Sequence, residues 1–340
     1  MKCVKIVDVK KLEVSEMEQP IANLEDVTIK IDCCGICGSD IHNWDLGQPI
    51  GLIMGHEFAG TVVDPGSRED LKAGDKVTGL PISPCLKCNA CKTGNFQFCK
   101  STWSNAVGLS LTNPGGFSEY LTCRSYMVKK VPDNVSFESA CMVEPSAVSL
   151  HAVNLADIKV GEKVLIVGGG IIGLMAAEFA KMDGASYVCL LEVNENRGKK
   201  ALEFGYVDEF YDPTKEDTVA KLLEKTNGGF DKVIECCGNS AAVTEAMITS
   251  KPGGVVILVG VSVSNISIPS AVAVMGEVTL QGSIAYTEQE FEKTIELISE
   301  EKIDVEKYID KKVSIDKVQE AFEILTSGTQ DDIKIIYKNQ

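Results

Sequence analysis

Histidine is scarce in this chain of 340 residues, with three copies, and tryptophan is scarcer, with two. With so few histidines, the neighbourhood of each one becomes informative. Long apolar runs are also missing: the most apolar stretches, Val164 to Leu174 and Gly253 to Val263, are short and glycine-interrupted. A membrane-spanning helix needs about 20 apolar residues, so neither stretch qualifies. Basic charge is in deficit, 33 side chains against 49 acidic ones for a formal charge of −16, which sets the overall field against phosphate backbones and anionic lipid. Nucleic acid and membrane partners are therefore not expected. The opening segment, MKCVKIVDVKKLEV, alternates apolar and charged residues and lacks the apolar core and small-residue cleavage site of a signal peptide. It reads as a first strand of a cytoplasmic protein. In that reducing compartment the chain's 13 cysteines are expected to bind metal where they cluster rather than to form disulfides.

The composition, 44% hydrophobic and 24% charged, is that of a folded globular protein, and the length calls for two cores. No low-complexity tract and no repeat at solenoid periods is present. Residues 1 to about 148 carry short alternating strands such as VTIKID and GTVVD, punctuated by turns at Pro65-Gly66, Ala73-Gly74-Asp75 and Pro114-Gly115-Gly116. From about residue 160 the pattern becomes apolar strands followed by amphipathic helices: Lys163–Val167, Leu174–Met182, Tyr187–Glu192, Arg197–Phe204 and Lys232–Glu235. That alternation predicts an α/β fold with a doubly wound parallel sheet. The tail adds helices at Glu288–Glu300 and Ile315–Leu325 and a strand-like IKIIYK, and pattern alone does not say which core it joins.

Cys85, Cys88, Cys91 and Cys99 stand in PCLKCNACKTGNFQFCK with two, two and seven residues between them. Closely spaced thiolates on one loop can wrap a tetrahedral zinc ion, and a closed four-sulfur shell leaves no open position for chemistry. Gly168, Gly170 and Gly173 spell GxGxxG directly after a strand and at the start of a helix. There the first glycine allows the tight turn, the second lets a pyrophosphate approach the backbone, and the third lets helix pack on strand. Glu192, 19 residues beyond Gly173, is placed to accept hydrogen bonds from the adenosine ribose and to repel a 2′-phosphate, favouring NAD over NADP. Arg197 dissents, since an arginine near that pocket could accept the phosphate.

Cys37, His56 and Glu57 offer the mixed sulfur, nitrogen and oxygen ligands of a catalytic zinc with an open position, and Glu144 is an acidic fourth group. The bland alternatives are a satisfied core histidine and a small buried thiol. Cys34 and Cys37 also spell CxxC, but without the βαβ surroundings of a thiol redox pair.

GICGSD, GHE, CxxCxxCx7C, GGFSEY, VEPSAV and VGGGIIG, in this order along the whole chain, resemble the zinc-dependent medium-chain dehydrogenases, and especially their polyol branch. The resemblance implies a GroES-like β-rich catalytic domain, residues 1–148 completed by 284–340, and a Rossmann domain, 149–283. It implies two zinc ions per chain, one catalytic at Cys37, His56 and Glu57 and one structural, with Glu144 contacting or ligating the catalytic metal. Ser39 and His42 match residues that pass the alcohol proton towards solvent. Ile172, Glu192, Arg197, the segment Val259, Gly260 and Val261, and the segment Ile284, Ala285 and Tyr286 match cofactor-binding positions. The implied reaction is hydride transfer between NAD and a secondary alcohol, by a homodimer or homotetramer. Asn43 and Ala285 replace the aromatic and the arginine usual in sorbitol dehydrogenases, so a polyol or sugar acid other than sorbitol is expected, with a 2,3-butanediol-type vicinal diol as the alternative. A non-catalytic zinc- and nucleotide-binding relative is the rival from another class.

Overall fold

The computed structural model describes residues 1–21, 23–262, 264–328 and 331–339. The chain divides into two compact units, Met1–Ala147 with Tyr286–Gln340, and Val148–Ala285.

The first unit opens with the hairpin of β1 (Lys2–Asp8) and β2 (Lys11–Glu16). There follow β3 (Asp26–Gly35), α1 (Gly38–Leu46), β4 (Glu57–Asp64), β5 (Lys76–Gly79), the single turn α2 (Asn89–Lys92), β6 (Tyr120–Arg124), β7 (Val128–Lys130) and α3 (Phe137–Cys141). The helix α4 (Val143–Ala156) carries the chain onward. Strand β3 is the hub of this unit, pairing antiparallel with both β4 and β6. It reads as a buried strand because seven of its ten residues are buried and those seven are β-branched or small.

The second unit follows the expected alternation. Strands β8 (Lys163–Val167), β9 (Tyr187–Leu191), β10 (Glu209–Tyr211), β11 (Phe230–Glu235), β12 (Ser250–Leu258) and β13 (Thr279–Gly282) form one parallel sheet in the order β10-β9-β8-β11-β12-β13. Helices α5 (Ile171–Met182), α6 (Glu195–Glu203), α7 (Thr218–Thr226), α8 (Ser240–Ile248) and α9 (Ser270–Met275) connect them. Strand order reverses between β8 and β11, which places a ligand crevice at their carboxyl ends. The apolar core between sheet and helices includes Leu165, Val167, Leu191, Val233, Val243, Met247 and Val256. Helix α5 begins three residues before the predicted Leu174, because Gly170 is the extended residue that caps it.

The tail builds α10 (Glu288–Ser299), β14 (Ile309–Val313), α11 (Val318–Thr326) and β15 (Lys334–Lys338). Thr287 and Glu290 cap α10 reciprocally, the serine/threonine-x-x-glutamate device that fixes a helix start. Strand β15 pairs antiparallel with β3, setting Ile336 opposite Gly35. Among the described residues no helix is long and apolar enough to cross a membrane.

Candidate active site

Two groups of metal-binding side chains converge. In the loop around α2, the Sγ atoms of Cys85, Cys88, Cys91 and Cys99 all lie within 4.8 Å of one another. The Cys88 and Cys91 sulfurs are 3.5 Å apart, and those of Cys85 and Cys91 are 4.0 Å apart. Backbone amides donate to two of the four sulfurs. The Cys85 N–H donates to Cys99 Sγ at 3.3 Å and the Cys88 N–H to Cys85 Sγ at 3.4 Å. Burial raises the Cys99 thiol, but the Ser101 hydroxyl and the Cys85 amide outweigh it and bring the pKa down to about 5. Four converging thiols with N–H···S support fit a structural zinc.

The second group lies where β3, α1 and β4 meet. Cys37 is the extended N-cap of α1, and the Asp40 carboxylate accepts the Cys37 amide at 3.0 Å. His56 and Glu57 lead into β4, with Glu57 paired opposite Gly35 on β3. One ligand atom from each of Cys37, His56 and Glu57 falls within 4.8 Å of the others. Asp40 is completely buried, and its Oδ1 stands 3.5 Å from His56 Nδ1, an ion-pair contact that makes no hydrogen bond. Burial opposes a charge on His56, yet Asp40 and Cys37 outweigh it and hold its pKa well above the ordinary value. Ser39 Oγ lies 3.5 Å from His56 Nε2, and His42 stands exposed three residues further along α1. Glu57 Oε1 is buried without a hydrogen-bond partner among the described residues, an arrangement that a cation resolves. A sulfur, a nitrogen and a carboxylate oxygen converging with one position left over fit catalytic zinc.

Glu144, on α4, is not within that 4.8 Å group. It is buried close by, and desolvation together with the Glu57 charge pushes its pKa up to about 7, against the lowering pull of His56. The Tyr286 hydroxyl donates to Glu144 Oε1 at 2.9 Å, so Tyr286 reaches the carboxylate group as a member of the first unit.

Three participants escaped the sequence reading. Asp40 lies inside GICGSD, one helical turn after Cys37, and that spacing was its available signal. Lys334 on β15 is buried, forms an ion pair with Glu57 and donates to the Ile36 carbonyl at 2.8 Å. Its only signal was a lysine inside an apolar strand. Gly35 makes room for the pair, because a Cβ there would lie 1.9 Å from Glu57 Oε2.

The nucleotide crevice is built wholly from the second unit. Gly168 takes φ +104° directly after β8, a conformation that favours glycine, and its amide donates to the Leu191 carbonyl at 2.9 Å. A Cβ on Gly173 would lie 2.0 Å from the Gly168 carbonyl, so helix and strand pack only with glycine there. At Gly170 a Cβ would meet nothing within 4 Å, leaving open the approach to the first turn of α5, where Ile172 stands. Glu192 is buried, with Oε2 accepting the Gly169 amide at 2.6 Å and Oε1 the Asn194 amide at 2.7 Å. Arg197 is in the first turn of α6. Val259 and Gly260 donate their amides to the Glu235 carbonyl, and Val261 is exposed beyond them. Ile284 is exposed after β13, and Ala285 has φ +49°. A cavity of about 340 Å³ adjoins the glycine turn, lined by Glu192, Val193, Pro213, Cys237 and α8 residues. A glycine turn at a helix start, a fixed carboxylate and this cavity fit a dinucleotide.

A nucleotide-binding parallel sheet and a β-rich unit with one closed and one open metal site define a zinc-dependent dehydrogenase. The family comparisons agree: residues 23–133 match the alcohol dehydrogenase GroES-like domain and residues 172–300 the zinc-binding dehydrogenase domain. The chain is 32% identical to sorbitol dehydrogenase of Bombyx mori, covering 96% of each chain. It is 36% identical to L-galactonate-5-dehydrogenase of Escherichia coli, covering 86% of each. The solved structure of 2R,3R-butanediol dehydrogenase from Bacillus subtilis superposes with a TM-score of 0.88 at 31% identity, over 100% of this chain and 99% of that one. The protein belongs to the zinc-dependent alcohol dehydrogenase family, as an oxidoreductase that uses zinc and a nicotinamide dinucleotide.

Proposed function

We propose that this protein interconverts a secondary alcohol of a polyol or sugar acid and the matching ketone, with NAD as hydride acceptor. The observation that carries the reading is the group of half-buried Cys37 with buried His56 and Glu57, with a position to spare beside Ser39 and Glu144. Bound there, zinc supplies Lewis acidity to a hydroxyl, and the nicotinamide supplies the hydride acceptor. The chain's own residues do the rest. Asp40 orients His56 and Cys37. Ser39 accepts the hydroxyl proton as it releases its own towards His42, which is exposed on the same helix face and passes a proton to solvent. Glu144, held by Tyr286, stands as the acidic fourth group. Buried Glu192 presents negative charge where a 2′-phosphate would sit, which supports NAD over NADP.

Likeness to the butanediol dehydrogenase structure, together with the small Ala285, supports a vicinal diol as the second reading. Exposed Val274 and Met275 on α9, beside the edge strand β13, support assembly with a second copy. Clustered free thiols support a reducing cytoplasm. Purified zinc-loaded protein should reduce NAD with one class among sugar alcohols, aldonates and butanediols. Cys37→Ala should lose that turnover and one zinc per chain while the four-cysteine loop keeps its own. Turnover retained in that variant, or none across the panel with both metals present, refutes the proposal.

A further inference from the structure

Glu245 carries the one acidic side chain of α8. It sits on α8 one turn beyond Ala241 and Ala242, and the three residues line the cavity together with Glu192 and Cys237. Its carboxylate is half-buried and has no hydrogen-bond or ion-pair partner among the described residues. Desolvation is the sole cause that raises its pKa. Cys237, an exposed member of the same lining, has its thiol raised by desolvation and by the charges of Glu235, Glu192 and Glu245. The cavity therefore has one carboxylate already bound to backbone amides at Glu192 and a second, uncommitted one at Glu245. The rest of the lining is mostly apolar, with Val193, Pro213 and Ala242, and adds the polar side chains of Thr214 and Asn239.

Such a slot suits a flat heteroaromatic base, and the reading that follows rests on the cavity being the adenosine end of the cofactor site. An ionised carboxylate only accepts hydrogen bonds, so an unpartnered one on an apolar wall calls for a donor. Adenine offers one in its 6-amino group. We propose that Glu245 reads the purine base, accepting a hydrogen bond from the 6-amino group of adenine and rejecting a 6-oxo purine. A 6-oxo group in that place would set acceptor against acceptor and leave both unpaired. Leaving a partly buried polar group unpaired weakens binding by at least about tenfold.

The test compares NADH with its hypoxanthine analogue, the deaminated dinucleotide, by fluorescence titration of the zinc-loaded protein at pH 8. The wild type should bind NADH at least about tenfold more tightly. Glu245→Gln presents an amide that can donate to a 6-oxo group, so the preference should fall at least about fivefold or reverse. Glu245→Ala should bind the two dinucleotides within about twofold of each other. Equal binding of both by the wild type, or an unchanged ratio in Glu245→Gln, overturns the proposal while leaving the nucleotide site in place. Binding of neither dinucleotide overturns the nucleotide reading as well.

Discussion

Replacing Lys334 with methionine tests whether the second layer around the open metal site is an electrostatic device. Lys334 and Glu57 each have about 1% of their side-chain surface exposed, and they form an ion pair. Methionine keeps most of the volume, so packing changes little while the cation disappears. Removing one partner of a buried pair costs about 3–5 kcal/mol, because an uncompensated charge stays behind. The Ile36 carbonyl loses its donor in the same step. A loss of about 4 kcal/mol, with a urea slope of about 2.5 kcal/mol/M, lowers the unfolding midpoint of the zinc-free protein by about 1.6 M. In the zinc-loaded protein the shift should be smaller, since the metal satisfies the same carboxylate. Adding Glu57→Gln to Lys334→Met should recover most of the loss, because the charge that needed a partner is gone. The assay is urea unfolding followed by circular dichroism, with and without zinc. A midpoint for Lys334→Met within about 0.3 M of wild type, or a double variant no more stable than the single one, refutes the reasoning.

Two further outcomes follow from the same geometry. Asp40→Asn weakens the hold on His56 and Cys37, so zinc affinity at the open site should fall about 10–100-fold in chelator competition while the four-cysteine zinc stays bound. Asp231 is held below the usual carboxylate range: burial opposes this, but the Lys163 amide at 2.7 Å and the Lys251 ammonium prevail. A lowered folded pKa stabilises the protein above the unfolded value of about 3.9, and that stability is lost as pH falls through the folded value. Asp231→Asn should flatten the decline of the unfolding midpoint between about pH 4 and pH 2, and an unaltered slope counts against the assignment.

The parts of the site that were legible in the sequence are those whose geometry is local. The four cysteines of the closed site lie on one short loop, so their spacing already bounds how far apart their sulfurs can be. The glycine turn is equally local. Gly168, Gly170 and Gly173 occupy the end of one strand and the first turn of the helix after it, and their steric roles follow from those positions. Helix starts were less legible: α5 begins at Ile171 and α6 at Glu195, earlier than apolar periodicity suggests, because capping by Gly170 and Asn194 sets the first turn. The hydrogen bonds of Glu192 to Gly169 and Asn194 were hidden too. The bond from Gly169 depends on β9 lying beside β8 in the sheet, which no short-range pattern states.

By itself the sequence determined the α/β class, and residue type and local pattern marked three candidates: the four-cysteine loop, the glycine turn and the set Cys37, His56 and Glu57. Tertiary structure alone decided what surrounds those ligands. Lys334 reaches Glu57 because β15 pairs with β3, and Gly35 lacks the side chain that would block them. Tyr286 meets Glu144 across 142 positions of chain, and Glu245 faces the same cavity as Glu192 only because α8 packs against the parallel sheet. These contacts join residues whose local sequence carries no mark of the partner. Side-chain charge and hydrogen-bonding capacity are written in the chain, but the distance over which they act is fixed only when the sheets close.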